Sequence, residues 1–168
     1  MSKIGILVAS ANNNRKLGDK LQELAEAKGV ETTVINLVDL TLPLYSTVEE
    51  ERNGIPDTAK DLAEEILALN AFIIVAPEYN GVMPPVLNNA MAWTSRATEN
   101  WRDAFNDKIV GLATHSGGGG AKGLQAMRIM YQHLGANILA RELLTTYEKP
   151  LNEDSAKKMI EQLIKLSQ

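Results

Sequence analysis

Cysteine is absent from this chain of 168 residues, so disulfides, thiolate metal sites and thiol catalysis are all excluded. Basic residues are not in excess either, because the formal net charge is −4 and the isoelectric point is near 5.3. That balance is not typical of a protein that binds nucleic acid or an anionic membrane surface. The composition therefore predicts neither of these two partners.

Long apolar runs are also missing, and none approaches the length of a membrane span. The apolar segment at residues 4–9 is short for the core of a signal peptide, and no cleavage site of the usual small-residue type follows it. We therefore expect a cytoplasmic protein. With 45% hydrophobic residues and no linker, repeat or low-complexity tract, residues 1–168 are expected to form a single domain.

Short apolar runs alternate with amphipathic helical patterns along the whole chain. The runs lie at residues 4–9, 33–37, 71–76, 109–114 and 137–142. Predicted helices begin near residues 15, 56 and 84, after the glycines at 117–120, and at residue 152 or 154. This alternation predicts an α/β fold in which a five-stranded parallel sheet is covered on both faces, a three-layer sandwich. The spacing fits the flavodoxin-like strand order 2-1-3-4-5.

Two stretches have no clear period. Residues 38–55 form a long connection that contains an acidic run. Residues 97–107 are polar with Trp101 and Phe105 embedded, and we expect a surface loop or a short helix there.

The first loop of interest follows strand one. In a 2-1-3-4-5 sheet, the loops after strands one, three and four border the crevice where ligands bind. This loop carries Ser10, Asn12, Asn13 and Asn14 at the start of a helix, and such donors suit a phosphate group. The alternative is that one Asn caps the helix while the others are turn residues, and the loop alone leaves both interpretations open.

The second loop follows strand four. It contains His115, Ser116, Gly117, Gly118 and Gly119, with Gly120 next. Successive glycines let the backbone approach a flat ligand and direct N–H groups at it, although glycine runs also occur in flexible linkers. His115 alone is most simply a polar cap at the end of a strand.

The third loop follows strand three. It consists of Pro77, Glu78, Tyr79, Asn80 and Gly81. Tyr79 is able to stack on a ring, and Asn80-Gly81 favours a tight turn with positive φ. By itself the loop is better explained as an ordinary turn that carries a Tyr.

The segment from Pro77 to Trp93 resembles the P-E-Y-N-x-x-x-P-x-x-L-x-N-A-x-x-W signature of the NAD(P)H-dependent FMN reductases. This family is a branch of the flavodoxin-like superfamily and includes relatives that reduce quinones, azo dyes and chromate. The resemblance extends over residues 3 to about 144 and includes the loop from Ser116 to Gly120. It implies bound FMN, with the phosphate at the first loop and the ring between the other two. NADPH or NADH is implied as co-substrate.

The first loop departs from the family pattern G-S-x-R-x-x-S-x-N. Ala9-Ser10 stands for G-S, the Arg is missing, and Asn12 falls where the second Ser is expected. Val82 replaces a Ser that is common after the E-Y-N-G turn.

The implied reaction is hydride transfer from a nicotinamide to FMN and onward to a small acceptor such as a flavin or quinone. The flavin carries this chemistry, so we predict no catalytic side chain and no metal ligand. Two alternatives remain open, a flavodoxin-type electron carrier and a flavin-free binding domain. The family also builds its site beside a subunit interface, and the apolar residues Met91 and Trp93 suggest a homodimer or homotetramer.

Overall fold

The computed structural model describes residues 3–168, which form five strands and six helices. In chain order these are β1 Lys3–Val8, α1 Asn13–Glu26, β2 Glu31–Asn36, α2 Thr47–Asn53, α3 Asp57–Leu67, β3 Ala71–Val75, α4 Pro85–Ala97, β4 Ile109–His115, α5 Ala121–His133, β5 Asn137–Thr145 and α6 Glu153–Leu166. Among these residues, no helix combines the length and the apolar character that crossing a membrane requires.

The five strands form one parallel sheet in the order β2-β1-β3-β4-β5, which confirms the predicted flavodoxin-like topology. One apolar core lies between the sheet and α3, α4 and α5. A second core lies between the opposite face and α1 and α6. The central strand β3 is buried along its whole length, because helices cover it on both sides.

Helix α2 was not predicted, because none of its residues is buried and it has no apolar period. Its N-cap residue is Ser46, whose hydroxyl accepts a hydrogen bond of 3.0 Å from the backbone N–H of Glu49. The sequence signal was the spacing of Ser46 and Glu49, which is that of a capping box. Glu50 holds the helix to α4 through a bidentate pair with Arg96, and this hydrogen bonding lowers the pKa of the Glu50 carboxyl.

Residues 97–107 are not simply a surface loop. Trp101 is partly exposed, with the Arg102 guanidinium 4.4 Å from its ring centre. Phe105 is buried, however, and its ring lies 5.2 Å from that of Phe72 and 5.0 Å from that of Tyr131. Because the segment is polar in composition, its sequence did not indicate that Phe105 belongs to the core.

Met91 and Trp93 do not form an apolar surface, so that part of the argument for oligomerisation is wrong. Both side chains are buried within the chain. The Trp93 indole N–H donates to the carbonyl of Pro43 at 2.7 Å, and the edge of the Tyr45 ring packs 5.0 Å away. Helix α4 needs these residues because it is covered by the connection after β2 as well as by the sheet.

Several boundaries differ from the prediction by one to three residues, and two of them bear on the site. Helix α1 begins two residues earlier, at Asn13. Strand β5 continues past Glu142 to Thr145, after a register shift between Val110 and Leu112 of the neighbouring β4. The extension matters for the site, because it places Thr145 beside His115.

Candidate functional site

The loops after β1, β3 and β4 meet at one edge of the sheet, as the strand order requires. Just below them, the backbone N–H of Ala9 donates to Val75 at 2.9 Å, and that of Ala76 donates to Ala113 at 3.2 Å. The three predicted loops therefore start from one rigid platform. That they bind a ligand remains a prediction.

The start of α1 is not capped by a side chain. Asn12 occupies the N-cap position, but its amide makes no capping hydrogen bond. The first helical bond runs from the N–H of Lys16 to the carbonyl of Asn12. Ser10 lies just below, and its hydroxyl accepts a bond of 3.2 Å from the N–H of Asn12. The N–H groups of the first turn thus remain available to an anion.

The three asparagines of this loop have different surroundings. Asn14 is buried, and its amide bonds both the N–H and the carbonyl of His115. The amide of Asn13 donates to the Tyr147 hydroxyl at 3.3 Å. Only Asn12 keeps an exposed amide at the mouth of the crevice. Phosphate binding by the three side chains remains a prediction, and Asn12 is best placed for it.

Glu78 connects the loop after β3 to helix α5. Its carboxylate accepts a hydrogen bond of 2.8 Å from the backbone N–H of Gly123 in the first turn of that helix. A Cβ added at Gly123 would lie 3.0 Å from the Cβ of Glu78, so the glycine permits this close approach. Pro77 precedes it and is buried. Glu78 therefore serves as a helix cap supplied from another loop.

The predicted tight turn at Asn80-Gly81 is confirmed. Both residues have positive φ, 52° and 77°, and Tyr79 and Val82 exchange backbone hydrogen bonds of 2.9 and 3.0 Å. This is the geometry that an Asn-Gly pair favours. The side chains of Tyr79 and Val82 are about half exposed. They border a cavity of about 480 Å³ whose other lining residues are Asn80, Met83, Pro85 and Asn88.

The glycine loop divides into an open part and a packed part. A Cβ added at Gly118 or Gly119 would meet nothing within 4 Å, and at Gly117 only the Tyr147 ring, at 3.7 Å. Gly120 instead has φ 74°, and a Cβ there would lie 3.1 Å from the side chain of Thr114. Backbone strain thus requires Gly120, whereas the earlier glycines leave room for a ligand.

The side chain of His115 is oriented from below by Thr145. The Thr145 hydroxyl gives its single hydrogen to the carbonyl of Thr114 at 3.0 Å, so His115 Nδ1, at 3.1 Å, is the donor to that hydroxyl. His115 Nε2 is buried and has no partner among residues 3–168. The ring of Tyr147 packs edge-on, with centres 5.1 Å apart.

Sequence reasoning missed Thr145 and Tyr147, which lie beyond the predicted end of β5. The neighbours of His115 depend on how far β5 extends along β4, and that is a property of the pairing. Ser116 also depends on this extension of β5, because its backbone N–H donates to the carbonyl of Thr145 at 3.0 Å. Its hydroxyl accepts from Gly118 at 3.2 Å, which shapes the start of the glycine loop.

A family model described as NADPH-dependent FMN reductase matches residues 2–149. The chain belongs to this family. Membership confirms the enzyme class expected from the sequence, an NAD(P)H-dependent oxidoreductase.

Curated relatives include a quinone reductase of Escherichia coli K12, which is 30% identical over 128 residues. That match covers 75% of this chain but 65% of the relative. A 2-hydroxy-1,4-benzoquinone reductase from Burkholderia is 35% identical over 98 residues, covering 56% of this chain and 50% of the relative. The chain thus spans between half and two thirds of these two proteins.

Solved structures share the fold. The flavoenzyme NAD(P)H:(acceptor) oxidoreductase FerB of Paracoccus denitrificans superposes with a TM-score of 0.75 over 99% of this chain and 96% of its own, at 20% identity. An archaeal flavodoxin superposes with a TM-score of 0.66 over the whole of both chains, at 16% identity. At these identities the likeness establishes the fold alone.

Proposed function

We propose that this protein binds FMN and passes hydride from NADPH or NADH through it to a small acceptor, with a quinone the best candidate. One observation carries the proposal. The uncapped first turn of α1 lies at the same sheet edge as a glycine loop that leaves open space at Gly118 and Gly119. A phosphate and a flat ring fit such a pair of sites.

The phosphate would be held by backbone N–H groups of the first turn of α1, with Ser10 and Asn12 beside them. A helix N-terminus favours an anion through its dipole and its unpaired donors. The family Arg is missing from this loop. Arg15 does not replace it in this structure, because its Nε is 2.8 Å from the carboxylate of Asp19. The phosphate site therefore rests mainly on neutral donors.

The ring would lie between the Tyr79–Gly81 turn and the backbone of Gly117 to Gly119. Bound FMN would supply the redox chemistry by accepting a hydride and passing electrons on. The chain contributes orientation, together with backbone N–H groups that stabilise negative charge on the reduced ring. Glu78 holds the turn in place through α5 and is not free to act as a proton donor in this arrangement.

The acceptor would enter beside the ring through the 480 Å³ cavity next to Tyr79, Val82 and Met83. Its largely apolar walls suit a planar, weakly polar molecule. Quinone reduction by relatives supports this choice of acceptor. Val82, in place of the family Ser, makes the wall more apolar.

A homodimer or homotetramer remains part of the proposal, on a basis different from Met91 and Trp93. Tyr79 and Val82, which line the cavity, are about half exposed, and Leu44 is largely exposed in a neighbouring pocket that shares Pro85 and Asn88 with it. Apolar residues exposed around a cavity are typical of a surface that is covered in the assembled protein.

The cytoplasmic location likewise stays a prediction.

Titration of the purified protein with FMN, followed by stopped-flow mixing with NADPH or NADH, tests the proposal. We expect saturable flavin binding and bleaching of the flavin band by at least one nicotinamide, with reoxidation by a benzoquinone. Binding without bleaching would indicate a flavodoxin-type carrier. Absence of binding at saturating FMN would overturn the proposal and leave a flavin-free domain.

A further inference from the structure

Asn14, in helix α1, makes two short hydrogen bonds to the backbone of a single residue of strand β4. Its Nδ2 donates to the carbonyl of His115 at 2.8 Å, and its Oδ1 accepts from the N–H of His115 at 2.7 Å. Asn14 is only 3% exposed. Buried amides paired in this reciprocal way are costly to disrupt, because each loss leaves an unpaired polar group.

The two partners are not neighbours in the sheet. Asn14 stands in the first turn of α1, which follows β1, whereas His115 ends β4, and β3 lies between these strands. The amide of Asn14 therefore plays the part of a missing strand partner for His115. It ties the loop proposed to hold phosphate directly to the residue that opens the glycine loop.

The link continues below the crevice through two buried threonines. Thr145 bonds the carbonyl of Thr114 and the ring of His115, as described above. Thr114 in turn donates its hydroxyl hydrogen to the carbonyl of Ala76 at 2.7 Å. One polar network thus joins the start of α1 to the ends of β3, β4 and β5.

We infer that Asn14 is a positioning residue that fixes the distance between the phosphate loop and the glycine loop, and that it does not itself bind phosphate. This inference rests on the proposed function, since it concerns how one flavin is gripped at both ends. If Asn14 bound the phosphate, changing it would weaken the affinity for FMN and leave the affinity for riboflavin unchanged. If Asn14 is a positioning residue, changing it weakens both affinities, because the glycine loop shifts when its hydrogen bonds to Asn14 are lost.

The decisive variant is Asn14→Asp, which keeps the size and the acceptor but removes the donor. Ionised, the new carboxylate faces the His115 carbonyl oxygen and repels it; protonated, it restores the second hydrogen bond. The N-terminus of α1 and the N–H of His115 lower the pKa of this carboxyl, but we expect burial and the facing carbonyl to raise it by more, to above its unfolded value. The restored bond is therefore present at low pH and is lost as pH rises through the raised folded pKa.

The experiment measures FMN and riboflavin affinity of Asn14→Asp and wild type between pH 5 and 7.5, together with thermal unfolding of the flavin-free proteins. Each variant is compared with wild type at the same pH, because the FMN phosphate itself titrates near 6. At pH 7.5 we expect both flavins to weaken by similar factors of roughly tenfold or more. At pH 5 both affinities and the unfolding temperature should return towards wild type.

Asn13→Asp is the matched control, since it places the same charge one residue away on a partly exposed side chain. It should weaken FMN more than riboflavin, and neither its riboflavin affinity nor its unfolding temperature should recover between pH 7.5 and pH 5. If Asn14→Asp behaves like this control, Asn14 contacts phosphate and the inference is wrong. An Asn14→Asp protein indistinguishable from wild type at pH 7.5 would also overturn it.

Failure of the proposed function would look different. Wild type would then bind neither flavin, while flavin-free Asn14→Asp would still be destabilised at pH 7.5 and recover at pH 5. In that case the link between the loops is real, but its role in flavin positioning is refuted along with the flavin site.

Discussion

Helices α1 and α5 both begin at the carboxyl edge of the sheet, yet their first turns are satisfied in opposite ways. In α5 the protein supplies its own anion, the Glu78 carboxylate, which accepts from the N–H of Gly123 at 2.8 Å. In α1 the N-cap residue Asn12 makes no capping bond, and no acidic residue occupies the first turn. Both helix N-termini carry the positive end of a helix dipole, but only that of α5 has a negative side chain of the protein beside it.

This difference separates scaffold from site. The first turn of α5 already has a carboxylate of the protein as its hydrogen-bond acceptor, and the same bond lets Glu78 hold the loop after β3. The first turn of α1 has no negative group beside it, and in our proposal the phosphate of FMN supplies one. The comparison therefore supports the proposal that α1 binds the anion, whereas the first turn of α5 has a structural partner in Glu78.

The largest expected effect comes from making α1 resemble α5. Asn12→Asp places a carboxylate at the N-cap, where it accepts from the first turn and occupies the place of the phosphate. Charge repulsion should weaken FMN by roughly a hundredfold or more, while riboflavin changes little. The flavin-free protein should gain about 0.3–1 kcal/mol of stability from the negative charge at the helix N-terminus. Calorimetric titration and thermal unfolding measure both, and a variant that still binds FMN tightly would refute the assignment.

The second prediction removes the cap from α5. Glu78→Ala leaves the N–H of Gly123 without its acceptor and frees the loop after β3, and we expect a loss of about 1–3 kcal/mol of unfolding free energy. Glu78→Gln is the matched control, since its amide oxygen still accepts, and it should lose much less. Urea unfolding of the flavin-free proteins distinguishes them. Equal losses in the two variants would show that the charge, rather than the hydrogen bond, matters.

A smaller effect is expected from side chains at the ring. Because backbone groups of the two loops are proposed to support the flavin, His115→Ala and Tyr79→Phe should each slow flavin reduction by about tenfold or less, some 1.4 kcal/mol of barrier. A general acid or base contributes about 10²- to 10⁴-fold instead. Stopped-flow reduction of bound FMN isolates this step. A loss above about a hundredfold, with FMN still bound, would identify a catalytic side chain.

The smallest effect should come from Arg15, the nearest arginine to the phosphate loop. Its ion pair with Asp19 is on the surface, so Arg15→Ala should change FMN affinity by no more than roughly threefold. Fluorescence titration at two salt concentrations is sufficient. A much larger and salt-sensitive loss would mean that Arg15 replaces the missing family Arg and that the α1 backbone is not the main phosphate site.

The sequence predicted the sheet order, the three loops and the Asn80-Gly81 turn, because buried strands and turn chemistry are local signals. It did not predict α2, which has no buried face, or the burial of Phe105 inside a polar segment. The hydrogen-bond partners of Asn14 and Glu78 could not be predicted from the sequence either. Each contacts a residue more than 40 positions away in the sequence, and that contact depends on the packed sheet.

The most direct test of the central claim compares FMN with riboflavin on the wild-type protein. The two ligands share the ring and ribityl chain and differ only in the phosphate. Calorimetric titration at one pH and ionic strength should show FMN bound at least about a hundredfold more tightly, roughly 2.7 kcal/mol. Equal affinities would contradict the account, because the uncapped first turn of α1 would then have no part in holding the cofactor.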